Sequence, residues 1–119
     1  MDIEDEDGSN FPAFIRLRPY ALTFLRNVAK YYEIVAYTGS IENYAKRVLE
    51  EIDPDNELFT YKLYRSSCFE IFNGVYVKDI RIVNRRPEHI VLVDNSPYSY
   101  IYQLENGIPI LPYEKGPDE

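Results

Sequence analysis

Short apolar runs that stop abruptly at a polar residue constrain this chain more than any other feature. Glu33-Ile34-Val35-Ala36-Tyr37 ends at Thr38-Gly39-Ser40, Tyr61 to Tyr64 ends at Arg65, and Ile90 to Val93 ends at Asp94-Asn95-Ser96-Pro97. The runs at 33–37 and 90–93 read as short buried strands, and apolarity on both faces is the mark of a parallel sheet. Pro97 forbids the last of them to continue. Between the first two runs, Ile41, Tyr44, Ala45, Val48, Leu49 and Ile52 recur at steps of three and four, which predicts a helix. Strand–helix–strand alternation implies an α/β fold with a parallel sheet and right-handed crossovers. Ligands in such sheets bind past the carboxyl ends of the strands, so the polar residues that end these runs stand at the functional rim.

The remaining elements follow from local signals. Residues 1–10 are acidic and nearly free of core residues, and they form a flexible start or a hairpin edge with Asp7-Gly8 at a turn. Phe11 to Leu17 reads as an edge or hairpin strand. Pro19 suits a first helical position, and Ala21, Phe24, Leu25, Val28 and Ala29 carry a helix over 19–30. Ser40 is the expected N-cap of the next helix, and Asp53-Pro54-Asp55-Asn56 ends it. Phe69 to Val77, broken at Asn73-Gly74, is a tight hairpin that delivers Lys78-Asp79. A short turn or helix near Ser99 to Leu104 precedes a last strand, Ile108 to Leu111.

Composition narrows the classes. At 45% hydrophobic the chain of 119 residues is globular. A net charge of −7 leaves no surplus of cations for direct nucleic-acid binding. Cys68, the single cysteine, excludes a disulfide framework and suits a reducing compartment. No apolar run has the roughly 18 residues of a membrane span, and no secretory leader is legible at the start.

The chemistry is carried by four points in chain order: Thr38, Arg65, Lys78 and Asp94-Asn95. A hydroxyl followed by Gly39-Ser40 at a helix start offers N–H donors and a positive dipole end to a phosphate. A lysine neutralises a transferring phosphoryl group, and an acid beside an amide supplies oxygen ligands to Mg²⁺. Taken singly, each has a plainer reading. Thr38 serves equally as a cap, Lys78 as a solvated side chain and Asp94 as a loop cap or ribose ligand. The ordered set is what is specific.

The set, with Arg18-Pro19, Tyr32 to Thr38, Leu63 to Cys68, Tyr76 to Ile80, Ile90 to Ser99 and Asn106 to Ile110, resembles the FCP/SCP-type phosphatases of the haloacid dehalogenase superfamily, from about residue 11 onward. That family comprises small C-terminal-domain phosphatases, Dullard-type phosphatases and Tim50-type import subunits. The resemblance implies a Rossmann-like three-layer haloacid dehalogenase fold with a parallel sheet and a small β-hairpin insertion, residues 11–119 forming a partial phosphatase domain. It implies that Thr38 hydrogen-bonds the phosphoryl group, that Lys78 stabilises an aspartyl-phosphate, that Arg65 stands near the phosphate entrance, and that Asp94 and Asn95 hold Mg²⁺. The expected activity is Mg²⁺-dependent hydrolysis of phosphoserine or phosphothreonine in the RNA polymerase II C-terminal domain or another phosphoprotein, inside the cell: nuclear, cytoplasmic, or mitochondrial for an import-type relative.

One departure weakens that expectation. The family's nucleophile stands in Asp-x-Asp-x-Thr/Val after a buried strand, and only Asp5-Glu6-Asp7-Gly8-Ser9 resembles it by spacing, with no apolar strand before it. The chain therefore reads as starting past the nucleophile, with exposed sheet edges open to swapping. A non-catalytic pseudophosphatase or Tim50-like peptide-binding module is the alternative, and a generic nucleotide-binding domain ranks below both for want of a Gly-rich phosphate loop. His89 and Cys68 read as surface and small core residues, and the Tyr31-Tyr32 and Tyr98–Tyr102 rings as packing. Arg81, Arg85 and Arg86 form a small basic cluster suited to a phosphorylated peptide or to a solvated loop.

Overall fold

An antiparallel pair opens the chain: β1, Asp2–Glu4, lies against β2, Asn10–Pro12, with Ile3 opposite Phe11. The structure is a computed structural model, and it describes residues 2–4, 10–12 and 15–113. The hairpin expected here is present, but its second strand is Asn10–Pro12, and residues 15–17 take no regular structure. The Asp7-Gly8 turn and the last residues, 114–119, lie outside the described residues. The chain divides into two compact units, Met1–Ser66 and Ser67–Glu119, and each is taken by itself.

In the first unit, helix α1 runs Ala21–Val28. Pro19 does not start it. Tyr20 stands before it at φ 67°, ψ 8°, and the Ala21 N–H donates to the Arg18 carbonyl at 3.0 Å. Proline followed by a positive φ is the chemistry of a tight turn, and that turn, not the proline, sets the helix start. Leu22, Leu25 and Val28 give the helix a half-buried stripe, while Phe24, expected on that stripe, is exposed.

Strand β3, Ile34–Tyr37, pairs in parallel with β4, Phe59–Leu63, so that Tyr37 faces Leu63. Helix α2, Glu42–Ile52, connects them. Its stripe of Ile41, Tyr44, Ala45, Val48, Leu49 and Ile52 turns inward as the sequence predicts, with Ala45 fully buried. The cap differs: Ile41 is the N-cap, and no side chain caps it. Ser40 falls one residue early, and its own N–H donates to the Thr38 hydroxyl, 3.0 Å away.

The end of α2 holds a residue that looked like a mere terminator. Asp53 is buried, and its carboxylate accepts the N–H groups of Glu57, Leu58 and Phe59 at 2.9, 2.9 and 3.3 Å. Burial alone would raise its pKa, but these three bonds, aided by the charge of Lys62, hold it below the ordinary value. Asp53 thereby sets where β4 begins, and with it the β3–β4 register. Asp53→Asn keeps one acceptor and turns an N–H₂ on backbone donors. It is expected to cost about 2 kcal/mol, measured by urea unfolding.

In the second unit, β5, Phe69–Phe72, and β6, Val75–Val77, form the expected hairpin, with Phe69 opposite Val77. Gly74 closes it at φ +82°, a conformation that disfavours side chains. Strand β7, Leu92–Asp94, pairs in parallel with β8, Gly107–Pro109. These strands are shorter than the sequence suggests and less buried: Val91 and Val93 are 58% and 44% exposed. The reason is neighbour number, since among the described residues β3 pairs only with β4, and β7 only with β8. The core of this unit is Val77, Ile80 and Tyr100. Between strands the chain makes short 3-10 turns at Ile80–Val83, Pro87–His89, Pro97–Tyr100 and Leu104–Asn106. The Asn106 amide ties the last of these back to the Pro87 and Ile90 carbonyls at 2.7 and 2.9 Å.

Candidate active site

The first unit draws Thr38 and Arg65 onto one loop. The Thr38 N–H closes the β3–β4 ladder on the Leu63 carbonyl at 2.9 Å, and its hydroxyl accepts from Ser40. Arg65 reaches back to the same loop: its Nε donates to the Gly39 carbonyl at 2.7 Å, and its backbone N–H to the Ser40 carbonyl at 3.0 Å. The loop leads directly into the N-terminus of α2, whose first-turn donors have no side-chain cap. Such an end attracts anions.

The second unit draws Lys78 and Asp94 together. Lys78 follows β6 directly, Asp94 ends β7, and the lysine ammonium is paired with Asp94 Oδ2. Their side chains are only 12% and 8% exposed, so this is a shielded ion pair. Asp94 Oδ1 accepts the Ser96 N–H at 2.9 Å, and the Asp94 carbonyl takes the Ile110 N–H at 3.1 Å. The carboxylate is thus oriented from both sides. Asn95 stands exposed on the same turn.

Two residues of this unit gave no signal of their own in the sequence. Asp79 is buried. Its carboxylate accepts from Arg81 Nε at 2.9 and 3.0 Å, Arg81 Nη2 at 2.5 Å, the Arg81 backbone N–H at 3.0 Å and Gln103 Nε2 at 2.9 Å. The Arg81 guanidinium is the chief reason its pKa is lowered from 3.8 to about 2, against the upward push of burial. The basic cluster read from Arg81, Arg85 and Arg86 is therefore not a set of unengaged charges. Arg81 belongs to Asp79, Arg86 pairs with Glu88 at 2.7 Å, and Arg85 bonds the Val83 and Asn84 carbonyls at 3.4 and 3.3 Å.

A carboxyl depressed on folding contributes stability above its unfolded value. That contribution is complete above pH 3.8 and is lost as the pH falls through about 2. Because the Arg81 side chain is 71% exposed, solvent screens part of the effect. Unfolding free energy measured from pH 5 down to 2 should fall less steeply in Arg81→Ala than in the parent chain.

A family model described as NLI interacting factor-like phosphatase matches residues 1–119. A Caenorhabditis elegans CTD small phosphatase-like protein 3 is 40% identical over 100 residues, 84% of this chain and 34% of that protein. A Dictyostelium discoideum CTD small phosphatase-like protein 2 is 38% identical over 104 residues, 87% of this chain and 18% of that protein. Among solved structures, a variant of the fission yeast RNA polymerase II CTD phosphatase Fcp1 bound to beryllium fluoride superposes with a TM-score of 0.80 at 24% identity, covering 96% of this chain and 31% of that one. The mixed α/β fold with parallel strand pairs is thus the haloacid dehalogenase fold expected from the sequence. The chain spans 34% and 18% of the length of these two relatives.

Proposed function

The chain belongs to the NLI interacting factor-like phosphatase family, and from that premise we propose that it carries the phosphoryl- and metal-binding residues of a Mg²⁺-dependent phosphoserine/phosphothreonine protein phosphatase. The observation that carries this reading is the shielded Lys78–Asp94 pair at the carboxyl ends of β6 and β7. A transferring phosphoryl group spreads negative charge over its oxygens. An ammonium already held in place, with little water around it, meets that charge without reorganising. In the first unit, Thr38 and the start of α2 offer donors to an anion, and Arg65 holds their loop in shape. The substrate is a phosphorylated protein segment, as the names of the relatives suggest.

The metal fits the donors available. Asp94 and the adjacent Asn95 offer hard oxygens, and Mg²⁺ accepts one or two carboxylates while keeping several waters. It would neutralise phosphoryl charge when bound. No group of three His, Cys, Asp or Glu residues that could hold a metal gathers among the described residues, so metal binding without phosphate should be weak.

A second reading, a non-catalytic phosphopeptide-binding module, draws on a different observation. Asp5-Glu6-Asp7, the Asp-x-Asp near the start, follows in sequence on β1, Asp2–Glu4, which pairs antiparallel with β2, and not on a parallel strand. Phosphate release from a phosphoserine peptide, by this chain and by any longer natural form, separates the two. Mg²⁺-stimulated release that drops by about 10²-fold or more in Lys78→Met is expected. Release that ignores Mg²⁺ and Lys78 would overturn the enzyme reading, and a metal-independent peptide complex without turnover would establish the second.

A further inference from the structure

The amide of Gln103 makes two bonds at once. Its Nε2 donates to Asp79 Oδ1 at 2.9 Å, and its Oε1 accepts the Ile80 N–H at 3.2 Å. Asp79 and Ile80 are the two residues that follow Lys78, and both are buried, at 5% and 3% exposure. Gln103 belongs to the segment that leaves Asp94, between the turns Pro97–Tyr100 and Leu104–Asn106. Lys78 itself donates its backbone N–H to Ser99 of that segment at 2.7 Å. Three consecutive residues, 78, 79 and 80, are therefore stitched to the chain that follows Asp94. None of these bonds involves the Lys78 ammonium, yet together they set the gap it must cross to reach the Asp94 carboxylate.

The geometry points to Gln103 and Asp79 as positioning residues that hold Lys78 against Asp94; its catalytic meaning rests on the phosphatase reading above. Only a side chain with a donor and an acceptor on one planar group can serve both bonds. Glutamate has no donor and would set a second carboxylate against Asp79, and methionine, of similar length, offers neither. Exchanging the two groups does not preserve the network, because Asp79 Oδ1 also accepts Arg81 Nε and the Arg81 backbone N–H, and an amide nitrogen in its place would face both donors. Gln103→Glu is the informative partner variant: it keeps the acceptor for the Ile80 N–H and loses the donor to Asp79.

The test reads the ion pair directly. In ¹⁵N-labelled chain, the Lys78 ammonium cross-peak, assigned by its loss in Lys78→Met, should be visible because pairing with Asp94 slows its exchange with water. Gln103→Met is expected to speed that exchange about tenfold, the scale on which outer partners act on a site, while the rest of the spectrum stays dispersed. Gln103→Glu is expected to speed the exchange likewise, since it removes the donor to Asp79 and sets a second carboxylate beside it. An unchanged peak in Gln103→Met overturns the proposal. Should that variant not fold, Gln103→Glu decides: faster exchange of the Lys78 peak in a folded variant supports the proposal, and an unchanged peak overturns it. The signal does not depend on turnover. If it behaves as expected while no form of the protein releases phosphate, the positioning stands and the phosphatase reading falls.

Discussion

Gly107→Ala should destabilise the chain by about 3 kcal/mol, the upper range for forcing atoms into a filled space. A Cβ built on Gly107 would fall onto Cγ and Cδ2 of the Tyr100 ring and within 2.8 Å of Cδ1. Tyr100 is one of the few buried side chains, at 9% exposure, so the ring has nowhere to swing. The strand must move instead. Gly107 begins β8 opposite Leu92, and two rungs further on Pro109 faces Asp94, so the disturbance runs straight into the ion pair. Urea unfolding of Gly107→Ala measures the loss. Adding Tyr100→Ala should make the double variant less costly than the sum of the two single changes, because the two residues share one space. Strict additivity would show that ring and strand do not collide.

Asp94→Ala should cost a similar amount, about 3 kcal/mol. The loss comes less from the attraction removed than from what is left behind. Lys78 would keep a charge at 12% exposure with no counter-ion, and the Ser96 N–H would lose its acceptor. The combination Lys78→Met with Asp94→Asn should recover most of the stability, since no charge is then stranded and the Ser96 bond can re-form. Thermal unfolding of the two singles and the double gives the coupling. If the double variant loses as much as both singles together, the pair contributes nothing to stability.

Where the sequence was readable, one local signal sufficed. The three-and-four spacing from Ile41 to Ile52 placed α2, and Asn73-Gly74 placed the β5–β6 turn, because both patterns are read within a few residues. The polar residues at strand ends were legible for the same reason. What failed were inferences that needed to know the neighbours. Ile90 to Val93 is apolar on both faces, yet burial depends on how many strands flank it. Pro19 suits a helix start in isolation, but Tyr20 takes the left-handed conformation that forms a turn. Ser40 is a good cap by type, but the helix starts one residue later, with Ile41 at the cap. Asp53 was legible only as a stop signal; an acid just past a helix, ahead of an unsatisfied strand start, was the clue to its second task. Gln103 carried no clue, since its bonds run to residues 23 and 24 positions away.

The Gly74 turn has a consequence for the order of assembly. The β5–β6 hairpin closes over a few residues, an event of microseconds, and it brings Lys78 to the end of a formed strand. Asp94 depends on β7 meeting β8 across the intervening turns, a longer loop with a larger closure entropy. The lysine end of the ion pair is thus built early from adjacent sequence, and the acid end arrives to meet it. A slower hairpin, as in Gly74→Val, would delay both, whereas a fault in β8 would leave a folded lysine waiting for its acid.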